Sequence, residues 1–176
     1  TRGDKMNALD DAMVQAIIAA GQEVASSDAR AVVLAGEGKS FCAGLDVASF
    51  AKMGQVDPEE WLMTRSHGDT NVMQEISMVW RRVPVPVIAV LQGAVYGGGL
   101  QLALGADVRI AAPDAKFSVM EMKWGLVPDL GGMVLLPNLV RSDVLRLMTY
   151  TARPVSAMQA ETWGLVTSVA EDAMGD

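Results

Sequence analysis

The residues with the clearest potential for chemistry lie in a glycine-rich stretch at the centre of the chain. Residues 92–107 are Gln-Gly-Ala-Val-Tyr-Gly-Gly-Gly-Leu-Gln-Leu-Ala-Leu-Gly-Ala-Asp. A buried apolar run at 87–91 leads into this stretch, and a helical pattern begins at Leu100, after the triplet Gly97–Gly99. Such a turn exposes the first N–H groups of a helix, which have no intrahelical partner and favour an oxygen that develops negative charge. The sequence therefore predicts an anion-stabilising turn, with a simple packing turn as the alternative.

Two later carboxylates have the character of acid–base groups. Glu121 lies in the apolar run Val119–Met122, where burial would raise its pKa, whereas an exposed Glu at an edge is the alternative. Asp129 follows eight residues later, after Gly125 and Pro128, which allow the chain to fold back. The alternative for Asp129 is a helix cap.

A second turn of small residues precedes the glycine triplet. Residues 41–47 are Phe-Cys-Ala-Gly-Leu-Asp-Val, so a ligand could approach this backbone closely. Cys42 has no basic neighbour that would lower its pKa, and we interpret it as a small core residue. His67 lies in a polar interruption and is interpreted as a loop residue. Gly38-Lys39-Ser40 lacks the earlier glycine of a phosphate-binding loop, since position 33 is Val.

The composition is that of an ordinary globular protein of one domain, spanning residues 1–176. The net charge of −7, with no basic run longer than two residues, argues against nucleic acid as a partner. No uncharged apolar stretch reaches the ~18 residues of a membrane span. One cysteine and one histidine favour a reducing, cytoplasmic setting and a mechanism without metal.

The elements that must position these residues are predicted from periodicity and caps. Asn7 or Asp10 could cap a first helix that has an apolar stripe. Residues 31–35 are predicted to form a buried strand. Asp57 is predicted to start a later helix, with Glu60 completing a capping box. The remaining predictions are an interruption near Gly68, a helix end at Val83-Pro84, strands at 87–91 and 108–112, a turn at 113–116, and a capped helix from Ser156 to a stop at Gly164. The predicted apolar stripe of the first helix consists of Met13, Ile17, Ala20 and Val24.

Five stretches, in order, resemble the crotonase superfamily, the enoyl-CoA hydratase/isomerase group. They are Asp-Lys-Met-Asn-Ala-Leu at 4–9, Ser-Phe-Cys-Ala-Gly-Leu-Asp-Val at 40–47, Gln-Gly-Ala-Val-Tyr-Gly-Gly-Gly at 92–99, the loop 117–132, and the block 151–166 that starts Thr-Ala-Arg-Pro-Val-Ser-Ala. The resemblance implies an α/β fold, a crotonase-like spiral of ββα repeats, truncated before Thr1 and after Asp176. It also implies acyl-CoA substrates, with coenzyme A carried as part of the substrate and no separate cofactor, and assembly into homotrimers or dimers of trimers.

The resemblance also implies a set of site residues. The thioester oxygen would be held by the backbone N–H groups of Ala43 and Gly98, with Glu121 and Asp129 as catalytic carboxylates. The implied substrate-binding and CoA-binding residues are Lys5, Met6, Ala8, Ala43, Gly44, Leu45, Asp46, Val47, Gly97, Gly98 and Gln101.

The sequence departs from the hydratase pattern at one catalytic position. Hydratases resembling this chain carry a Glu where this chain has Gln101, and an amide cannot act as a general base. The sequence therefore predicts an enzyme that stabilises a thioester enolate and moves a proton between carbons, with hydration as a close variant. The alternatives are a dehalogenase-like enzyme with Asp129 as nucleophile, and a catalytically weak acyl-CoA-binding protein.

Overall fold

The computed structural model describes residues 1–49 and 57–173. Its helices are α1 (Asp11–Ala25), α2 (Pro58–Met63), α3 (Val72–Arg81), α4 (Gly98–Leu104), α5 (Gly132–Leu135), α6 (Ser142–Thr151) and α7 (Ala157–Thr162). Its strands are β1 (Val32–Ala35), β2 (Val87–Leu91), β3 (Ala94–Tyr96), β4 (Val108–Ala111), β5 (Lys116–Ser118), β6 (Val155–Ser156) and β7 (Ser168–Val169). Short 3₁₀ helices lie at Gly3–Lys5, Met120–Trp124 and Leu136–Asn138.

The strands divide between two sheets. In the described residues, β1, β2, β4 and β7 form a parallel sheet in that order, and β3, β5 and β6 form a second sheet. The chain alternates between them: β2 and then β3 lead to α4, and β4 and then β5 lead to the 3₁₀ helix at 120–124. This alternation confirms the predicted α/β fold of ββα repeats. Its consequence is that the segments after β3 and after β5 lie side by side, because those strands are parallel neighbours.

The central strand β2 is confirmed, but the prediction that 31–35 is a buried strand is wrong in its burial. Residues along β1 alternate between half-buried and exposed, and Val33 is 59% exposed. The reason is position, since β1 pairs with β2 on one side only and lies at the edge of the sheet as described. One face of β1, with Val33 and Ala35, borders a cavity of about 530 Å³ instead of a packed layer.

Helix α1 begins as predicted but buries a different stripe. The Asp10 carboxylate accepts the Met13 N–H at 2.9 Å and so caps the helix. Its fully buried residues are Val14, Ile17, Ile18 and Gly21, so only Ile17 of the predicted stripe is fully buried. Helix α3 packs against this face: a Cβ at Gly21 would lie 2.5 Å from a Val79 methyl carbon, so the two helices are in close contact there.

The other predicted boundaries agree with the structure. The helical region is interrupted between Met63 and Val72, and α3 ends before Pro84. Ser156 and Gln159 form the predicted capping box of α7, and Gly164 has the expected positive φ of 81°. Asp57 caps α2 by accepting the Glu59 N–H, while the predicted contribution of Glu60 lies outside the described side chains. Within residues 1–49 and 57–173, no helix combines the length and apolar character that a membrane crossing requires.

Candidate active site

The two predicted turns meet at a cavity of about 60 Å³. Its lining residues are Ala43, Gly44, Leu45, Gly97, Gly98, Met120, Glu121, Trp124 and Leu126. The first three come from the small-residue turn and the next two from the glycine triplet. The last four come from the 3₁₀ helix after β5 and the residues that follow it. The fold thus brings together three stretches that are far apart in sequence.

The glycine triplet lets α4 begin against a backbone that leaves no room for side chains. Gly97 has φ +52° and precedes the first residue of α4, Gly98. A Cβ at Gly99 would lie only 2.3 Å from the Cys42 carbonyl oxygen, so a side chain cannot fit there. Because Gly98 opens the helix, its N–H has no intrahelical partner and lies at the positive end of the helix.

The small-residue turn contacts the start of α4 through backbone atoms. Gly44 has φ +96°, and a Cβ at this position would lie 2.8 Å from the Tyr96 carbonyl oxygen. The same Cβ would lie 3.6 Å from the Gly98 nitrogen, and one at Gly98 would lie 3.9 Å from the Leu45 nitrogen. The backbone nitrogens of Leu45 and Gly98 therefore lie close together, and both residues line the cavity.

The structure corrects one predicted N–H donor. The Ala43 N–H donates to the Met6 carbonyl oxygen at 3.0 Å, so it is already engaged and the prediction of Ala43 as the donor is wrong. On either side of Leu45, the Gly44 carbonyl accepts the Leu9 N–H at 2.8 Å and the Asp46 N–H donates to the Leu9 carbonyl at 2.9 Å. This pairing turns the Leu45 N–H to the opposite side, and it has no backbone partner among the described residues.

Glu121 combines burial with an incomplete set of partners. It is 8% exposed, and burial raises the pKa of its carboxyl, with the charge of Asp129 adding to the rise. Its Oε1 accepts a hydrogen bond from Gln101 Nε2 at 2.7 Å, which partly offsets that rise in pKa. Its Oε2 is buried and has no hydrogen-bond partner in the described residues. The sequence prediction of a buried acid–base carboxyl is confirmed in its burial and in the direction of the pKa.

Gln101 lies behind Glu121 and does not line the cavity formed by the described residues. The Gln101 Oε1 accepts the N–H of Gly132, the first residue of α5, at 2.8 Å. Only 1% of Gln101 is exposed. In this structure Gln101 contacts Glu121 and Gly132, so the predicted substrate contact of Gln101 has no support from the cavity lining.

Asp129 lies near Glu121 without reaching the cavity lining as described. The chain folds back as predicted: Gly125 has φ +69°, and the Leu126 N–H donates to the Glu121 carbonyl at 3.1 Å. Asp129 is half-buried, and this burial raises the pKa of its carboxyl. The alternative role as a helix cap is excluded for α5, whose N-cap is Gly131 and which receives no side-chain cap.

The opening segment of the chain holds the small-residue turn in place. Asn7 is 1% exposed, and its Nδ2 donates to the carbonyl oxygens of Glu37 and Ser40, each at 2.9 Å. From the sequence, Asn7 is predicted only as a possible helix cap. Nothing in the neighbouring residues indicates that its side chain would bind the backbone of Glu37 and Ser40. Arg2 forms an ion pair with Asp46 at 2.9 Å. The hydrogen bond from the Ala48 N–H, together with Arg2, holds the pKa of the Asp46 carboxyl below its usual range.

The other predicted CoA-binding residues lie around this turn. Lys5, Met6 and Val47 are exposed, and Ala8 is half-buried. Their contacts with a substrate stay a prediction. Cys42 is confirmed as a core residue: burial raises the pKa of its thiol to about 11, so it has no role as a nucleophile near neutral pH.

The chain matches known proteins along almost all of its length. The family description enoyl-CoA hydratase/isomerase matches residues 1–174. The mitochondrial Delta(3,5)-Delta(2,4)-dienoyl-CoA isomerase of Dictyostelium discoideum is 30% identical over 97% of the chain. The 1,2-epoxyphenylacetyl-CoA isomerase of Escherichia coli is 31% identical, again over 97%. The chain spans 60% and 64% of the lengths of these two proteins.

Solved structures agree in fold. The crystal structure of an enoyl-CoA hydratase from Mycobacterium smegmatis aligns with a TM-score of 0.86 and 32% identity, covering all of this chain and 66% of that one. An enoyl-CoA hydratase from Thermoplasma volcanium gives 0.86 and 31%, covering 99% of this chain and 67% of that one. The fold and the cavity therefore define a crotonase-type protein. The chain belongs to the enoyl-CoA hydratase/isomerase family.

Proposed function

We propose that the protein acts on acyl-CoA thioesters and stabilises the enolate formed when a proton leaves a carbon next to the thioester carbonyl. One observation carries this proposal: Leu45 and Gly98, whose backbone nitrogens lie close together, line the same cavity as Glu121. An oxygen that gains negative charge and a carbon that loses a proton would then lie side by side.

The backbone donors supply the electrostatic part of the reaction. As the α-proton leaves, negative charge develops on the thioester oxygen, and two N–H groups already oriented toward it stabilise that charge without reorganising. Family resemblance suggested Ala43 and Gly98 for this role. Because the Ala43 N–H is engaged with Met6, the proposal assigns the first donor to Leu45.

Glu121 supplies the proton transfer. Burial brings the pKa of Glu121 upward, toward the range in which a carboxyl both accepts and returns a proton efficiently near neutral pH. The α-carbon of a bound acyl group would have to lie beside this carboxyl. We propose Glu121 as the main acid–base residue of the site.

The chemistry that fits these residues best is a shift of a double bond by proton transfer between carbons. Hydration requires a second group beside Glu121 that activates water, and Gln101, at the position of the first of the two hydratase carboxylates, cannot titrate. Isomerases are also among the relatives by name. Asp129 remains a candidate second carboxylate that could share proton removal and return with Glu121.

The rival in which Asp129 attacks the substrate as a nucleophile has less support. Asp129 is absent from the described lining of the cavity.

The surface of α5 and α6 favours assembly with other subunits. Met133, Val134 and Tyr150 lie there and are large apolar side chains that are mostly exposed. We propose a homotrimer or dimer of trimers, with the CoA moiety lying against Lys5, Met6, Ala8 and residues 43–47.

The test is exchange of the α-proton of a saturated acyl-CoA in deuterated water, followed by mass spectrometry. The protein should catalyse this exchange, and Gly98→Pro should reduce its rate about 10²–10³-fold, because one donor to the enolate oxygen is lost. Proline is tolerated at the first position of a helix, where the N–H has no intrahelical partner.

The matched control is Gly98→Ala, which keeps the N–H and adds only a methyl group. That methyl would lie 3.0 Å from a Leu9 methyl carbon and 3.2 Å from one of Leu130, so a modest loss from crowding is expected. Equal losses in the two variants would contradict the donor role of Gly98. Binding of acyl-CoA without any exchange would favour the rival of a binding protein.

A further inference from the structure

Gln101 connects two parts of the site that are distant in sequence. Its Nε2 donates to Glu121 Oε1 at 2.7 Å, and its Oε1 accepts the Gly132 N–H at 2.8 Å. Gln101 is 1% exposed, so water does not compete for these two hydrogen bonds. The amide therefore forms a buried bridge between the acid–base carboxyl and the turn that contains Asp129.

The chemistry of the partners determines which way the amide points. A backbone N–H can only donate, so the atom of Gln101 that faces Gly132 must be the carbonyl oxygen. The NH₂ group must then face Glu121, so Glu121 Oε1 accepts this hydrogen bond. The hydrogen-bond partners of Gln101 alone therefore determine the orientation of its amide.

The orientation of the amide decides where Glu121 can hold a proton. The carbonyl oxygen of a protonated carboxyl is a better acceptor than its hydroxyl oxygen, so the hydrogen bond from Gln101 to Oε1 favours a proton on Oε2. Oε2 is the oxygen that has no hydrogen-bond partner in the described part of the chain. One oxygen of the carboxyl is thus hydrogen-bonded to Gln101, and the other is not engaged by any described residue.

We propose that Gln101 is a positioning residue that confines proton transfer to Oε2 of Glu121, a role that rests on the enolate chemistry proposed above. In the first step a C–H bond breaks, its proton forms the O–H bond at Oε2, and its electron pair enters the conjugated enolate. In the second step the same O–H bond breaks, and the proton bonds to a different carbon of that enolate. The matching substrate class is an acyl-CoA whose double bond lies one carbon beyond the conjugated position.

Gly132 is part of this device because it has no side chain. A Cβ at Gly132 would lie 2.7 Å from Gln101 Oε1 and 3.0 Å from Pro128 Cβ. Any side chain there would push the amide away from its present position. The variant Gly132→Ala therefore displaces Gln101 while keeping its chemistry, and it provides a second way to test the inference.

The direct test is a ¹³C NMR titration of the Glu121 carboxyl in the protein without substrate, using protein labelled at the glutamate carboxyl carbons. The Glu121 signal is assigned as the one that disappears in Glu121→Gln. Gln101→Met has a similar shape but no donor, so the charged carboxylate loses its one side-chain hydrogen bond. We expect the pKa of Glu121 to rise by about one to two units, the size of a hydrogen bond to a charged group.

Ser77→Ala is the matched control for a change in a buried side chain nearby. Ser77 is fully buried, and its hydroxyl has no partner in the described residues. Its Cβ lies 3.2 Å from the position that a Cβ added at Gly131 would occupy. This variant should leave the titration of Glu121 unchanged. If Gln101→Met does not fold, as judged by circular dichroism, Gly132→Ala should raise the same pKa.

The kinetic counterpart separates failure of this inference from failure of the proposed function. In Gln101→Met, the acid limb of the pH–rate profile for proton exchange should move to higher pH with the titration. An unmoved titration and an unmoved acid limb in a folded variant would overturn the positioning role, even if Glu121→Gln abolishes exchange. If the wild-type protein catalyses no exchange but the titration moves as expected, the hydrogen bond stands while the enolate function and the proton-transfer role are both overturned.

Discussion

Two carboxylates are buried in this protein to a similar extent, but their surroundings differ. Glu75, on α3, is 2% exposed, its Oε2 accepts the Thr70 hydroxyl at 2.6 Å, and its Oε1 is paired with Arg82. Glu121 is 8% exposed, and within the described part of the chain only one of its oxygens has a partner, the neutral amide of Gln101.

The difference teaches that burial alone does not identify a reactive carboxyl. Glu75 has a cation and a hydroxyl as partners, and these connect the end of α3 to the loop that precedes it. Its burial is therefore compensated and its role is structural. Among the described residues, Glu121 is paired with no cation and its Oε2 has no partner, so its burial is not compensated and raises the pKa of its carboxyl.

The largest expected effect is on turnover. Glu121→Gln should reduce α-proton exchange roughly 10²–10⁴-fold, because an amide cannot accept the proton. Glu75→Gln is the matched change at the structural carboxyl, and its rate per folded molecule should equal that of the wild type. The exchange rates of both variants, divided by the folded fraction from circular dichroism, measure this contrast. A comparable loss in both variants would remove the distinction.

The next effect is on stability, and it has opposite signs at the two positions. Glu75→Gln should lower the free energy of unfolding by about 1–2 kcal/mol, because Arg82 then loses its charged partner while remaining partly solvated. Glu121→Gln should raise the melting temperature at neutral and alkaline pH. The folded-state pKa of Glu121 lies above its unfolded value, so wild-type stability is lost as pH rises through that pKa.

Thermal melts between acidic and alkaline pH check this sign. At a pH below the unfolded pKa, Glu121 is protonated in both states, so the wild type and Glu121→Gln should melt at similar temperatures. The gap between them should open as pH rises. A Glu121→Gln protein that is less stable than the wild type at alkaline pH would show that the carboxylate is better compensated than its partners indicate.

The smallest expected effect concerns the charge of Asp129. This charge raises the pKa of Glu121, so Asp129→Asn should move the acid limb of the pH–rate profile to lower pH. We expect the rate above that limb to change by less than about 10-fold, because Asp129 does not line the described cavity. A loss as large as that of Glu121→Gln would instead support a mechanism with two carboxylates. A covalent adduct on Asp129 after rapid quenching would support the nucleophilic rival.

The local elements of this protein were determined by the sequence itself. The cap at Asp10, the capping box of Ser156 and Gln159, and the end of α3 before Pro84 depend on residues close together in the chain. The glycine triplet also predicted the start of α4, because no other residue type fits so close to a neighbouring backbone. Short-range backbone geometry and hydrogen bonding are sufficient for these features.

Tertiary structure alone decided which atoms face the cavity. Whether the Ala43 or the Leu45 N–H is available depends on pairing with residues 6–9, and the periodicity of 41–47 contains no information about that partner. Gln101 reaches Glu121 across 20 positions, and the burial of Glu75 depends on Thr70 and Arg82 approaching it together. A hydrogen bond has a direction and a range of about 3 Å, so its partners are defined only when distant segments have packed.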